Sequence, residues 1–132
     1  MIMGKMRVLL VDDETEFVSA LAERLTLRGF DAEAATSGEE ALGKINSSPP
    51  DVVLLDMLMP GMNGLEVLKR VKRDHPQVRV ILLTGRGSWD SIQGIREGAY
   101  DCLMKPIQIE ELMQVMTSAL ENKDKDPSGK GD

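Results

Sequence analysis

The feature that most constrains the fold is the strict alternation of short apolar runs with segments of helical periodicity. The runs span residues 6–11, 31–35, 52–55, 78–83 and 101–104. Most are continuous rather than alternating, which is typical of strands buried on both faces of a parallel sheet. Apolar residues recur at helical spacing after each run, most extensively from Ile109 to Leu120. Five such units with right-handed crossovers predict a doubly wound α/β domain.

Capping and helix-breaking residues support these boundaries. Ser37 with Glu40 forms a capping-box pattern at the start of the second helix, Gly29 marks the end of the first, and Pro76 marks the end of the third. After residue 122 the pattern gives way to the charged stretch KDKDPSGKGD. We therefore expect one folded domain over residues 1–122 and a disordered tail or linker over 123–132.

Composition narrows the class of protein. Acidic residues outnumber basic ones by 22 to 16, which gives a net charge of −6. Nucleic-acid binders usually carry a basic face, so we expect no direct DNA or RNA binding by this chain. The single Cys102 cannot form a disulfide within the chain, and no secretory signal pattern precedes the first run, which favours a cytoplasmic location. No apolar run approaches the about 20 residues that cross a bilayer, so we expect no membrane span.

Polar residues follow every predicted strand, and those after the second, Thr36 and Ser37, are explained by the capping box. The polar residues after the other four strands need another explanation. They are Asp12 and Asp13 after the first, Asp56 after the third, Thr84 after the fourth and Lys105 after the fifth. Ligands of doubly wound sheets bind beyond the carboxyl ends of the strands, where the strand order reverses. If the first and third strands are neighbours, three carboxylates converge, and a hard cation such as Mg²⁺ suits them. An ammonium and a hydroxyl beside them favour a phosphoryl group, with an aspartate as the nucleophile.

Four motifs in order carry a family resemblance: VDDE (11–14), LLDMLMPGMNG (54–64), LLTG (82–85) and GAYDCLMKP (98–106). Each motif alone is common, but the four together, at spacings that fit five strand–helix units, are highly specific. The set resembles the receiver domain of two-component response regulators, and the likeness covers residues 6 to 122. It implies a CheY-like, flavodoxin-like (βα)₅ fold, a five-stranded parallel sheet in the order 2-1-3-4-5.

The resemblance implies a role for each strand-end residue. Asp56 is expected to be the phosphoacceptor, with Thr84 and Lys105 bound to oxygens of the phosphoryl group. The expected ligands of Mg²⁺ are Asp12, Asp13 and Asp56 and the backbone carbonyl of Leu58.

Finer geometry is also implied by the resemblance. The backbone N–H groups of Met57 and Gly85 are expected to face the phosphoryl group. The Lys105–Pro106 peptide bond is expected to be cis.

Partners follow from the same resemblance. The phosphodonor is expected to be a sensor histidine kinase, a histidine phosphotransfer protein or a small acyl phosphate. Downstream we expect a separate effector or a fused output domain, recognised through the face of the fourth helix, fifth strand and fifth helix. That face is also a candidate for homodimerisation. The chain is expected to catalyse only its own phosphorylation and dephosphorylation, and so not to be a separate enzyme.

Some positions depart from or tune the family pattern. The family usually has an aromatic residue three positions before the lysine, where this chain has Cys102, which puts the aromatic part of the output coupling in doubt. Gly94 lies inside the fourth helix and is expected to leave that helix easier to remodel, since glycine costs about 1 kcal/mol there. Leu58 and Arg86 are expected to shield the modified aspartate from water and so to prolong its lifetime.

Other functions on a similar fold remain open at this point. A flavodoxin-like cofactor binder needs a glycine-rich phosphate loop after the first strand, where this chain has VDDETE. A phosphatase of the haloacid dehalogenase type needs D-x-D there. A phosphorylation-independent interaction module would share the fold, although the acidic, Thr and Lys set argues against it. The chain also fits the receiver half of a longer regulator.

Overall fold

The computed structural model describes residues 5–85 and 89–121, apart from the side chains of residues 89–92. Strands and helices alternate throughout, as the sequence pattern predicts. In chain order the elements are β1 (Arg7–Val11), α1 (Thr15–Leu27), β2 (Asp31–Ala35), α2 (Gly38–Ser47), β3 (Val52–Asp56), α3 (Gly64–Asp74), β4 (Arg79–Thr84), α4 (Trp89–Arg96), β5 (Asp101–Met104) and α5 (Ile109–Glu121).

The five strands form one parallel sheet in the order β2-β1-β3-β4-β5. This confirms the expected fold and makes β1 and β3 neighbours. The register pairs Val11 with Leu55, Asp56 with Leu83, and Thr84 with Met104. The ends of β1, β3, β4 and β5 therefore lie at one edge of the sheet, where the polar strand-end residues were predicted to meet.

Helices cover both faces of the sheet. Every residue of β3 and β4 is buried, which explains why these runs lack polar alternation. One core lies between the sheet and α2 and α3, with Ile45 and Leu68 at its centre. The other lies between the sheet and α1 and α5, with Leu25 and Leu112 at its centre. The sheet is thus held between two apolar layers, and its polar groups are concentrated at the strand ends.

The local signals place the helix ends correctly. Ser37 Oγ accepts a hydrogen bond from the Glu40 N–H at 3.0 Å, as in a capping box. In a capping box the glutamate side chain also accepts from the N–H of the N-cap residue, here Ser37. In this helix Glu40 Oε1 instead accepts from the N–H of the preceding residue, Thr36, at 2.9 Å. Gly29 has φ +97°, a left-handed conformation that glycine adopts without strain, just after α1 ends. α3 ends at Asp74, two residues before Pro76.

Within residues 5–85 and 89–121, no helix is long and apolar enough to span a membrane. The longest helices, α1 and α5, have 13 residues each. The expectations for Arg86 and for the tail at 123–132 concern positions outside the described residues.

Candidate functional site

Three aspartates meet at the carboxyl edge of the sheet. Asp56 is the last residue of β3, and Asp12 and Asp13 follow β1 directly. One carboxylate oxygen from each lies within 4.8 Å of the others. Asp12 and Asp56 are buried and Asp13 is exposed, so the cluster is open to solvent on one side. The convergence predicted from the sequence is therefore present.

The carboxyl of Asp56 has a raised pKa. Its side chain is buried, and Oδ1 accepts a hydrogen bond from the Leu58 N–H at 3.3 Å. The pKa of Asp56 is raised to about 6, mainly by burial and to a smaller extent by the charges of Asp12 and Asp13. The Leu58 N–H and the Lys105 ammonium lower the pKa but do not offset the burial. A positive charge brought to the cluster would therefore favour the ionised form of Asp56.

The donor set fits a hard divalent cation. All three side chains offer carboxylate oxygens, the ligand type that Mg²⁺ prefers over nitrogen or sulfur. Mg²⁺ keeps several waters when bound, and exposure of Asp13 leaves room for them. Three carboxylates so close together repel one another, and two of them are buried. A bound cation would offset this repulsion.

Lys105 reaches into the same site from the end of β5. Its Nζ lies 2.9 Å from Asp12 Oδ2, 3.5 Å from Glu14 Oε1 and 3.8 Å from Asp56 Oδ2. Burial alone lowers the pKa of Lys105, but the bond to Asp12 and the neighbouring charges outweigh it and raise the pKa above its ordinary value. The ammonium is therefore charged, with Asp12 as its nearest partner. The Lys105–Pro106 bond is cis, as expected.

Thr84 ends β4, one position beyond the residue that pairs with Asp56. Its side chain is buried, and its carbonyl accepts a hydrogen bond from the Lys105 N–H at 2.9 Å. A Cβ at the next residue, Gly85, would meet no described atom within 4 Å. Steric packing of the described residues therefore does not explain the glycine at 85.

One expectation about the backbone is wrong. The N–H of Met57 donates to the carbonyl of Leu83 at 3.1 Å, because the β3–β4 ladder continues one residue past β3. The N–H that reaches the acidic site is that of Leu58, which donates to Asp56 Oδ1. The amide that donates to the Asp56 carboxylate is thus one residue later than the sequence interpretation placed it.

The site includes two residues to which sequence reasoning gave no role. Glu14 stands in the quoted VDDE motif, and its Oε1 is the second carboxylate contact of Lys105. Phe17 lies in the first turn of α1, and the centroid of its ring is 5.2 Å from Lys105 Nζ. The position of Glu14 directly after the aspartate pair was the one usable sequence signal for these two residues. Nothing in the sequence marked Phe17, because it is distant from Lys105 in the chain.

Comparison with known proteins agrees with this geometry. The family model described as "Response regulator receiver domain" matches residues 8–117. The chain is 45% identical over 108 residues to a Haemophilus influenzae protein named transcriptional regulatory protein CpxR homolog, covering 81% of this chain and 47% of the relative. It is 40% identical over 108 residues to Mycobacterium tuberculosis transcriptional regulatory protein TrcR, covering 81% of this chain and 42% of that one. The chain spans less than half the length of these relatives.

Solved structures show the same relationship. A CheY-like response regulator receiver domain protein from Methanospirillum hungatei superposes with a TM-score of 0.87 at 28% identity, covering 92% of this chain and 98% of that one. NtrX from Brucella abortus, solved in complex with ATP, gives a TM-score of 0.83 at 33% identity, covering 89% of this chain and 27% of NtrX. The chain belongs to the response regulator receiver domain family of two-component systems.

Proposed function

We propose that this chain accepts a phosphoryl group on Asp56, from a phosphohistidine of a sensor histidine kinase or histidine phosphotransfer protein, and relays that state to an output. The carrying observation is the convergence of Asp56 with Asp12, Asp13 and Lys105 at the edge of the sheet. Family membership supports the same function. An acidic site with one ammonium is a receptor for a phosphoryl group only if further positive charge joins it.

Mg²⁺ fits that requirement. The residues that would hold it are Asp12, Asp13 and Asp56, with the Leu58 carbonyl proposed as a fourth protein ligand. When bound, it supplies charge neutralisation at the developing phosphoryl oxygens. The chain's own contribution is to hold these carboxylates on two adjacent strand ends.

The reaction needs little covalent chemistry from the protein. A carboxylate oxygen of Asp56 attacks the phosphorus in line with the leaving nitrogen of the donor, forming an O–P bond as the N–P bond breaks. The Lys105 ammonium, 3.8 Å from Asp56, stabilises the charge on one phosphoryl oxygen, and the Thr84 hydroxyl bonds another. The imidazole of the donor leaves with the bonding electron pair. The product is an acyl phosphate on Asp56.

The modified site then differs in charge and in hydrogen-bond acceptors. New phosphoryl oxygens attract the Thr84 hydroxyl inward and move the segment after β4. We propose that the result is a population shift in the face formed by α4, β5 and α5, read by an effector or a fused output domain, and available for homodimerisation. Cys102 occupies the position of the family's usual aromatic in β5, so this coupling proceeds without an aromatic at that position.

The setting of the function is also a proposal. We expect the chain to act in the cytoplasm, to bind no nucleic acid or membrane by itself, and to catalyse only its own phosphorylation and dephosphorylation. The relatives named transcriptional regulatory proteins are longer, which supports a fused output domain as one arrangement.

Intact mass after incubation with a small acyl phosphate, with and without Mg²⁺, tests the proposal. We expect the chain to gain one phosphoryl group only with Mg²⁺, and Asp56→Asn to gain none. Asp13→Ala should lose most of the rate, whereas Thr84→Ala and Lys105→Ala should retain part of the phosphorylation but switch poorly. No gain under any condition would overturn the proposal in favour of a phosphorylation-independent interaction module.

A further inference from the structure

The ammonium of Lys105 lies against an aromatic ring as well as against carboxylates. The centroid of the Phe17 ring is 5.2 Å from Nζ, within the range of cation–π attraction. Nζ also contacts the carboxylates of the buried Asp12, the buried Asp56 and the largely exposed Glu14. The ammonium thus has two buried carboxylate neighbours, which we call its inward acceptors, and one exposed neighbour, Glu14, which we call its outward acceptor. The ring of Phe17 is its fourth neighbour.

The outward acceptor matters for the proposed function. Lysine has a flexible stem and a compact charge with rotatable donors, so its position is set by its neighbours. The Glu14 side chain is 66% exposed and its contact with Nζ is the longer hydrogen bond, at 3.5 Å against 2.9 Å for Asp12. An ammonium drawn toward Glu14 would be less available to a phosphoryl group on Asp56.

We propose that Phe17 is a positioning residue that keeps the Lys105 ammonium directed toward Asp12 and Asp56, against the competing Glu14. The attraction comes from the charge distribution of the ring, so an aliphatic residue of similar size does not supply it. Phe17 lies near the start of α1 and is partly buried against the core between the sheet and α1 and α5. The effect on phosphoryl transfer rests on the function proposed above.

The two neighbours should act in opposite directions. Phe17→Leu keeps an apolar side chain but removes the ring, and we expect the rate of Mg²⁺-dependent phosphorylation to fall about two- to fivefold. Phe17→Tyr keeps the ring and should restore the natural rate. Glu14→Gln removes the charge of the outward acceptor and should raise the rate by about twofold.

NMR of the side-chain methylenes of Lys105 provides a readout independent of phosphorylation. The Phe17 ring shields nearby protons, so Phe17→Leu should shift the Lys105 methylene signals downfield and Phe17→Tyr should not. Phe30→Leu is the matched control: Phe30 belongs to the same core but precedes β2, at the opposite edge of the sheet from Lys105. Denaturant unfolding of each variant shows that the comparison is made on folded protein.

The outcomes separate the two proposals. Unchanged Lys105 signals in Phe17→Leu, or equal changes in Phe30→Leu, would overturn the positioning role. A rate for Phe17→Leu equal to the natural one would also overturn it, provided that the natural chain is phosphorylated. If the natural chain takes no phosphoryl group, the proposed function fails, and the NMR comparison alone decides whether Phe17 positions Lys105.

Discussion

Gly94 of α4 packs directly on Leu82 of β4: a Cβ at position 94 would overlap Cδ1 of Leu82, which is fully buried. Leu82 pairs in the sheet with Cys102, which occupies the position where the family usually has an aromatic residue. The close contact between α4 and β4 is therefore next to that position. Close approach accounts for a glycine in the middle of a helix. Whether Gly94 also makes α4 easier to remodel stays a prediction.

Gly94→Ala should destabilise the protein although alanine is the better helix former. Propensity alone would add about 1 kcal/mol to the free energy of unfolding. Overpacking against buried Leu82 costs about 1–3 kcal/mol, which is the larger effect. Denaturant unfolding measures the balance. Gly43→Ala is the control, because Gly43 lies exposed in α2 with no described atom within 4 Å of a Cβ, and it should stabilise. Equal stabilisation by both changes would contradict the close packing of α4.

Neutralising Asp56 should stabilise the metal-free protein at neutral pH. Its carboxyl pKa is about 6 in the folded chain, raised by burial from the ordinary 3.8. The folded state binds the proton more tightly, so this contribution to stability is fully present below about pH 4 and lost as the pH rises through the folded pKa. We expect Asp56→Asn to raise the free energy of unfolding by about 1–3 kcal/mol at pH 7 and by little at pH 4.

The measurement is denaturant unfolding of the natural chain and of Asp56→Asn in a chelating buffer, from about pH 4 to pH 7. The difference between their free energies of unfolding is the quantity to compare, because other groups titrate in both proteins. Asp74→Asn is the control, since Asp74 is exposed and its bond to Arg73 lowers its pKa. That change should give no stabilisation at neutral pH. A difference between natural chain and Asp56→Asn that does not vary with pH would contradict the raised pKa.

Gly64→Ala should impair phosphorylation from a position outside the acidic cluster. A Cβ at Gly64 would lie 2.6 Å from the Asp56 carbonyl oxygen and 2.7 Å from Met57 Cα, both backbone atoms. Rotation of a side chain cannot relieve these contacts, so the segment that carries Asp56 must shift. Displacements of about 1 Å at a reacting group cost up to about 100-fold in rate. We expect the rate of Mg²⁺-dependent phosphorylation, followed by intact mass, to fall about 10- to 100-fold. Gly43→Ala is the control and should leave the rate unchanged. A rate in Gly64→Ala equal to that of the natural chain would contradict the prediction.

Leu58→Asn should shorten the lifetime of the phosphorylated form. The Leu58 side chain is 67% exposed beside Asp56, so it lies where water approaches the acyl phosphate. An amide at this position can bind an incoming water, and one hydrogen bond is worth about two- to tenfold in rate. Decay of the phosphorylated mass over time measures the effect, with Arg86→Ala as the companion variant. Unchanged decay in both would refute shielding by these side chains.

Much of the fold follows from local information. Continuous apolar runs and helical spacing identify all ten elements, with strand bounds that differ by about one residue at Arg7, Asp56, Arg79 and Thr84. The later strand ends at Asp56 and Thr84 arise because pairing extends to polar residues once a neighbouring strand offers partners, as Leu83 does for Asp56 and Met104 for Thr84. The strand order required the family resemblance, since periodicity does not report which strands are adjacent.

The site was predictable in its members but not in its contacts. Strand-end residues had to share one edge of the sheet, so Asp12, Asp56 and Lys105 were identified from the sequence. The direct bond between Lys105 and Asp12, and the ring of Phe17 beside it, depend on side-chain conformations of residues about 90 positions apart. The Met57 amide was misassigned because the extra ladder bond to Leu83 is a property of the assembled sheet.

Arg79, at the start of β4, is buried, and its Nε donates to the carbonyl of Ala119 near the end of α5 at 3.3 Å. α5 has no basic residue of its own in its last turn, and Glu121 there opposes the helix dipole. The guanidinium therefore acts as a C-terminal anchor supplied by the sheet. Fraying of α5 at this end must break a charge-assisted bond in the protein interior, so the last turn of the helix is fastened to the first residue of β4.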